Sequence, residues 1–454
     1  MKEFVSYLKP KKLAILIYAL TLLFFMVKVN YYDDYVGNFP DESSHLGYVA
    51  YLDGEDVILP DYHDMYTKVK TSSNTIQTYG TNYLGHPPLY YNILNLFNDI
   101  EVDGENVTID VSQLRFTSQC IAYLGLIIAF LFGLNRIKKN SLHLLYATIL
   151  TSVPMFAYTS AGVNNDTLAF TGMVIFAVCF VRLLENRNKY SSYILFASSI
   201  FILMMTKVTA GLIALIACAF VLIYIFIKEK SFKILFNKYF AASLPIYILV
   251  FIYYMGLYLD YGTFQISLAG LDKEYFVTTD FYTDVDSRIY MNIIDYAEYY
   301  FTKFLNTWIS VQSHVSLSKL AGLSSIDSVG ILSLTVLPLM MIFTKKKSEL
   351  TKVSIAVYLA TGLTIAVQFV RCYFKNFLGN GYLGGFQSRY YICAIIFFAF
   401  AICFAVYDRY KYFLEKSNNK KRVEIIFNAV CILFSALLIY EDFIYFIINF
   451  DKYL

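Results

Sequence analysis

About eleven stretches of this chain stay apolar over the roughly 17 to 25 helical residues that it takes to cross a hydrocarbon core. They fall near 12–29, 116–134, 141–158, 167–184, 190–206, 208–227, 240–258, 329–344, 352–370, 390–407 and 425–447. So many long apolar segments cannot all be hidden against one another in water, so lipid must be part of the solvent. Composition agrees: 58% of the 454 residues are hydrophobic and 16% charged, whereas an ordinary soluble domain is about a quarter charged. The expected fold is an all-α polytopic integral membrane protein, a single transmembrane domain over 1–454. Lys9, Lys11 and Lys12 precede the first segment and no small-residue cleavage site follows it, so it reads as a retained anchor.

Lys and Arg orient the spans. The N-terminal tail and every second connection carry most of them, among them Arg136, Lys138 and Lys139, Arg182 and Arg187, Lys228 and Lys230, Lys345 to Lys347, and Lys420 to Arg422. That side is expected in the cytoplasm, with the N-terminus. The long loops 30–115 and 259–328 are then extracytoplasmic. Both hold short amphipathic helical patterns, such as Leu46, Val49 and Ala50, Leu89, Ile93, Leu96 and Phe97, and the stretch from Tyr299 to Val311. Helices of that kind lie along a membrane surface. The net charge of +3 sums two unlike sides of a membrane, so it does not point to nucleic acid as a partner.

Several patterns carry no chemistry. The seven cysteines form no CxxC pair and mostly sit in apolar runs, as small buried hydrophobes do. His63, His143 and His314 have no metal-ligand spacing. Gly379-Asn380-Gly381-Tyr382-Leu383-Gly384 lacks the preceding strand that a nucleotide-binding turn needs, and reads as a mobile loop ahead of Arg389.

The polar residues that remain gather at the outer ends of spans. Pro40-Asp41-Glu42-Ser43-Ser44-His45 puts two carboxylates and a histidine together. With Pro40 in the first helical turn, Asp41, Glu42 and His45 share one face. His86 stands before Pro87-Pro88, which holds it extended. Asp166 opens the fourth span, Lys207 lies in the short turn between the fifth and sixth, and Gln387, Arg389 and Tyr390 begin the tenth. Each has a plain reading: a helix cap for Asp166, a snorkelling side chain for Lys207, an interfacial anchor for Arg389, an incidental helix start at His86. Their common side argues for one shared outward site.

Taken together, Pro40-Asp41-Glu42-x-x-His45, His86-Pro87-Pro88-Leu89-Tyr90-Tyr91, Asn164-Asn165-Asp166, Lys207 and Gln387-x-Arg389-Tyr390 resemble the GT-C superfamily. These are multi-span glycosyltransferases using polyprenyl-phosphate sugars, including the protein O-mannosyltransferases and lipid A aminoarabinose transferases. The signature is most similar to that of uncharacterised bacterial membrane proteins sharing Pro-Asp-Glu-x-x-His. The resemblance implies an inverting transferase acting on the extracytoplasmic face of the cell membrane, with a cell-surface glycan, lipid or protein as acceptor. Asp41 and Glu42 would be the catalytic pair, with Asp41 as the general base and Glu42 beside it raising its pKa, or with Glu42 as the base instead. Lys207 and Arg389 would hold the donor phosphate, and His45, His86, Asp166, Gln387 and Tyr390 sugar or acceptor. No cofactor is required, although a divalent cation bridging Glu42, His86 or Asp166 to the phosphate fits the same chemistry. The competing readings are a lipid-linked oligosaccharide polymerase, a flippase, which should line a path with ionisable groups at mid-span, and a non-catalytic sensor.

Overall fold

A computed structural model of the chain describes residues 11–65, 69–71, 75–76, 81–97, 100–103, 106–308, 310–311, 315–316, 336–343, 348–444 and 447–448. It is a predominantly helical, multi-pass membrane protein. The principal helices are α1 (Lys12–Tyr31), α2 (Glu42–Gly54), α3 (Leu89–Asn95), α4 (Val111–Arg136), α5 (Asn140–Thr151), α6 (Pro154–Ala161) and α7 (Asp166–Glu185). They are followed by α8 (Tyr190–Met204), α9 (Val208–Glu229), α10 (Leu244–Tyr261), α11 (Ile293–Asn306), α12 (Glu349–Arg371), α13 (Ile395–Lys416) and α14 (Lys420–Ile439).

Membrane spans show an inverted burial logic. On α1, Leu13, Leu16, Leu20, Leu23 and Val27 are all more than half exposed, while Ala14, Tyr18, Phe25 and Val29 on the other face are buried. Both faces are apolar, as lipid on one side and protein on the other require. Among the described residues, eight helical segments are long and apolar enough to cross: Lys12–Val36, Val111–Arg136, Asp166–Glu185, Val208–Glu229, Leu244–Tyr261, Glu349–Gly379, Ser388–Lys416 and Lys420–Ile444. The pair α5 and α6, bent by 56° at Ser152-Val153, makes a ninth if it forms one broken span. The break is local chemistry, because Pro154 has no N–H for the α5 ladder and disfavours helix at Val153. Two differences from the expected eleven remain. Helix α8 is apolar but only 15 residues long, and of the expected span 329–344 only 336–343 are described.

Helix α4 packs on α7, α7 on α8, α9 on α12, and α5 on both α1 and α14. The segment between α1 and α4 contains α2, α3 and a small four-stranded sheet of β1 (Val69–Thr71), β2 (Thr75–Ile76), β3 (Ile100–Asp103) and β4 (Asn106–Ile109) in the order β2-β1-β4-β3. Strand β1 pairs parallel with β4, and the other pairs are antiparallel. A two-stranded ribbon, Ser310–Val311 with Val315–Ser316, is the second sheet. These strands are too short to give a legible alternation.

The loop before α2 is gripped by α6 and the turn after it. Tyr158 donates its hydroxyl to the carbonyls of Gly37 at 2.9 Å and Asn38 at 2.8 Å, and Asn164 Nδ2 donates to Pro40 O at 3.1 Å. Gly162 lies against Phe39 so closely that a Cβ there would sit 2.5 Å from Phe39 Cγ. We therefore expect Gly162→Ala to lower stability by about 1–3 kcal/mol through overpacking, read as a drop in melting temperature in detergent. An unchanged melting temperature would mean that Phe39 can move aside without cost.

Candidate active site

Helix α2 begins at Glu42, two residues past the Pro40 that the sequence places in its first turn, and this decides where the acidic side chains go. Pro40 lies ahead of the helix, and Asp41 is its N-cap residue with φ 60°, in the left-handed region, with no side-chain capping bond. A non-glycine residue there is strained. The turn sends the Asp41 carboxylate away from the helix, to an ion pair with Arg389 and to a hydrogen bond that Tyr83 donates at 2.6 Å. The expectation that Asp41, Glu42 and His45 share a face gives way to three different neighbourhoods.

Glu42 faces Arg115 at the start of α4. Arg115 Nε and Nη2 donate to its two oxygens at 2.9 and 2.6 Å, and the Val163 amide donates to Oε1 at 2.9 Å. Arg115 Nη1 also donates to Asp33 at 2.9 Å, and Gln119 Nε2 reaches the other Asp33 oxygen at 3.1 Å. This fork-on-carboxylate geometry is specific to arginine. It saturates Glu42 and ties the end of the first span, the acidic motif and α4 together. Glu42 therefore does not raise the Asp41 pKa as expected. Burial alone would raise it, but the Arg389 charge and the Tyr83 hydrogen bond outweigh burial and hold the Asp41 carboxyl well below the usual carboxylate range.

His45 is buried, and its Nδ1 is 2.9 Å from the Tyr91 hydroxyl. Its ring lies parallel to that of His86, with centroids 6.0 Å apart and 10° between planes. His86 is fixed by its backbone, whose carbonyl accepts from the hydroxyls of both Tyr48 and Tyr62 at 2.8 Å. Pro88 caps α3, and the Leu89 amide donates to Met205 O at 3.0 Å. Burial and the nearby Lys207 charge push the His86 pKa down to about 3. Burial and His86 push that of His45 well below its ordinary value. Both imidazoles are therefore neutral near pH 7 and can donate and accept.

Asp166 is the first residue of α7. Its amide donates to Asn164 Oδ1 at 3.0 Å, so Asn164 performs the local capping. The Asp166 side chain instead forms an ion pair with Lys207, both nearly fully buried. Lys207 Nζ is also 4.9 Å from the centre of the Tyr390 ring, and the Arg389 guanidinium is 5.5 Å from that ring. The result is a continuous polar chain of Tyr83, Asp41, Arg389, Tyr390, Lys207 and Asp166, drawn from five separate parts of the sequence. Its hydrogen-bonding capacity is not used up. The Arg389 side chain is 3% exposed, yet among the described residues Nε and Nη1 have no hydrogen-bond partner, and neither has Asp166 Oδ2. Buried donors without acceptors are costly, so a ligand oxygen is the expected complement. Gln387 caps the 3₁₀ turn Ser388–Ala394 that carries Arg389 and Tyr390.

The glycine loop ahead of that turn is tied down: Asn380 O accepts from the Thr283 amide at 2.8 Å, and Tyr382 donates its amide to Asn376 O at 2.9 Å. Its Gly381 adopts φ +70° against Arg288. Glu42 and Asp166 each have a cationic partner, and among the described residues no group of three or more His, Cys, Asp or Glu could hold a metal ion. His143 is bonded to the Tyr18 hydroxyl at 2.6 Å, and His314 lies outside the described residues. Sequence reasoning missed Arg115, Asp33 and Tyr83. Arg115 carries the same signal as Lys207 and Arg389, a cation at a span end, whereas one tyrosine among 42 carries none.

The depressed histidine pKa has a measurable consequence. Below about pH 6.5 the unfolded chain binds protons that buried His45 and His86 refuse, so acidification favours unfolding. Stability should fall as pH drops from about 6.5 towards 3, and His86→Gln should flatten that slope. A melting temperature independent of pH over this window would contradict the burial of both rings as neutral groups.

No protein-family model matches the chain, and no curated protein matches it. Among solved structures, ArnT from Cupriavidus metallidurans bound to undecaprenyl phosphate is similar at 11% identity and a TM-score of 0.39, covering 94% of this chain and 77% of that one. The apo structure of the same protein is similar at 12% identity and a TM-score of 0.36, over 94% of this chain and 76% of that one.

Proposed function

We propose that the chain is an inverting membrane glycosyltransferase of GT-C type, moving a sugar from a polyprenyl phosphate to an acceptor on the extracytoplasmic face. The observation that carries this reading is Arg389, a buried guanidinium that spends one edge on Asp41 and leaves Nε and Nη1 without a partner among the described residues. A permanently charged fork with open donors suits a phosphate oxygen. Lys207 supplies a second cation against the same Tyr390 ring, so a phosphate within reach of both would meet two positive charges in a low-dielectric setting.

Transfer from a lipid phosphate needs little acid catalysis, because the leaving phosphate is stable as an anion. One base is enough, in contrast to the carboxylate pair of a hydrolase. The acceptor hydroxyl or amine attacks the anomeric carbon, the bond from that carbon to the phosphate oxygen breaks with its electron pair, and the acceptor's proton passes to Asp41. Configuration inverts because attack and departure occur on opposite faces.

In the resting state Asp41 is a weak base, since Arg389 holds its carboxylate ionised. Donor phosphate would compete for Arg389, loosening that pair and letting the Asp41 pKa rise towards a useful range. Donor binding thus prepares the base, which predicts that donor binds before acceptor is activated. In this reading His45, His86, Asp166, Gln387 and Tyr390 would hold sugar and acceptor hydroxyls. Tyr390 offers a ring beside both cations and Asp166 Oδ2 an open acceptor.

The test is transfer by the purified enzyme, with polyprenyl-monophosphate sugars set against a lipid-pyrophosphate oligosaccharide as donors. We expect turnover only with the monophosphate; turnover only with the pyrophosphate would make the protein a polymerase. Asp41→Asn should lower kcat by roughly 10²-fold or more without weakening donor binding, since the carboxylate that competes for Arg389 is gone. Arg389→Ala should mainly weaken donor binding. Full turnover by Asp41→Asn, or unchanged donor affinity in Arg389→Ala, would contradict these roles.

A further inference from the structure

A second buried ion pair lies outside the site, within the spans themselves. Lys28 on α1 meets Asp442 in the segment that ends the last span, and both side chains are fully buried. Lys28 Nζ also donates to the carbonyl of Thr151. Thr151 is the last residue of α5, where the helix breaks before Pro154. A helix end left open in this way leaves carbonyls with no amide to accept from, and a cation there is favourable. One lysine thus joins three elements far apart in sequence: the first span, the broken helix and the last span.

Charged groups at membrane depth are costly and are held only where they have a role. The role is legible in what the broken helix does next. Helix α6 runs from the break to Ala161, and this half-helix with the turn after it holds the acidic loop. Tyr158 binds the carbonyls of Gly37 and Asn38, the Val163 amide binds Glu42, Asn164 binds Pro40, and Gly162 is moulded to Phe39. The angle at which α6 leaves α5 therefore sets where residues 37–42 sit. The last span contributes to the same end of α1. Phe443, next to Asp442, makes edge contacts with Phe24, Tyr31 and Tyr32 at 5.7, 5.5 and 5.9 Å. Tyr32 begins the widened π-helical turn Tyr32–Val36, which carries Asp33 to Arg115.

We propose that Lys28 and Asp442 are positioning residues: an intramembrane clamp that fixes the bend between α5 and α6 and, through it, the acidic motif bearing Asp41. The clamp makes the last span part of the machinery that orders the site, although none of its described residues reaches the site. The clamp itself stands on geometry alone; its effect on turnover rests on the transferase reading.

The two can be tested apart in a double-substitution cycle of Lys28→Met, Asp442→Leu and the pair. Removing one charge leaves the other buried without its partner, whereas removing both is far milder. A nitroxide on Ser43→Cys, in a Cys120→Ser background, reports the order of the motif without reference to catalysis. Ser43 is exposed, and Cys120 is the exposed native thiol. Each single substitution should increase label mobility, and the double substitution, which lacks the bonds to Asp442 and Thr151 alike, should leave mobility raised while recovering most of the melting temperature. Turnover should fall in the singles by on the order of 10²-fold, as a misplaced base predicts, with donor affinity changed much less. A charge-reversed pair, Lys28→Asp with Asp442→Lys, should not rescue, because an aspartate at 28 would face the Thr151 carbonyl.

If the singles lower the melting temperature but leave label mobility and turnover as in wild type, the pair only stabilises the fold and the clamp is wrong. Should a single substitution fail to fold, mobility in the double variant decides: a motif more mobile than in wild type supports the clamp, and one as ordered as in wild type overturns it. If mobility follows the clamp while wild-type protein transfers no sugar from any lipid phosphate, the clamp stands and the transferase reading fails.

Discussion

A buried guanidinium must have a counter-charge, and in this protein the requirement organises one end of the molecule. Arg389 and Asp41 lie 348 positions apart in the chain, and their pairing brings the start of the penultimate described span to the loop after the first. Asp41 can reach Arg389 only because its backbone turns into the left-handed region ahead of α2. Arranging the backbone so costs about 1–3 kcal/mol, which the ion pair and the Tyr83 hydrogen bond offset. Such strain in a chain that could have used glycine marks a position where the side chain matters more than the fit of the backbone.

The remaining charges follow the same logic at different depths. Glu42 is neutralised by Arg115, Asp166 by Lys207 and Lys28 by Asp442. Each pair joins elements remote in sequence, and Asp166–Lys207 and Lys28–Asp442 are desolvated enough that losing one partner would cost about 3–5 kcal/mol. The lipid-facing surface explains the contrast. Where α1 shows leucines to lipid there is nothing polar to satisfy, so polar recognition is concentrated between helices. The pairs differ in what they leave open. Glu42 uses both oxygens, whereas Arg389, Asp166 and Asp442 keep atoms without a hydrogen-bond partner among the described residues.

Much of this is legible in the amino-acid sequence alone. Membrane class and span positions follow from apolar length, because every backbone group in hydrocarbon must be satisfied within its own segment and helix is the outcome. The polar residues at span ends are legible for a related reason: charge is so rare in such a chain that each instance is information. Asp41, His86, Asp166, Lys207 and Arg389 do come together, yet their partners are not foreseeable. Pairing depends on a two-residue shift in the start of α2 and on the backbone turn at Asp41, and neither has a sequence signal that outweighs proline's preference for a first helical turn. Lys28 is hidden by its place near the end of an apolar run, where a lysine ordinarily snorkels, and only the break at Pro154 gives it a carbonyl to hold. The short strands β1 to β4 escape notice because two to four residues cannot establish a period.

The account stands or falls on whether Arg389 exchanges its partner, and a structure determined with a polyprenyl phosphate bound tests that directly. The phosphate is predicted on the Nε–Nη2 edge of Arg389, with Asp41 released from Nη2 and turned towards the space that an acceptor would fill. A phosphate bound elsewhere, with Arg389 still holding Asp41 and its other nitrogens still unmatched, would contradict it.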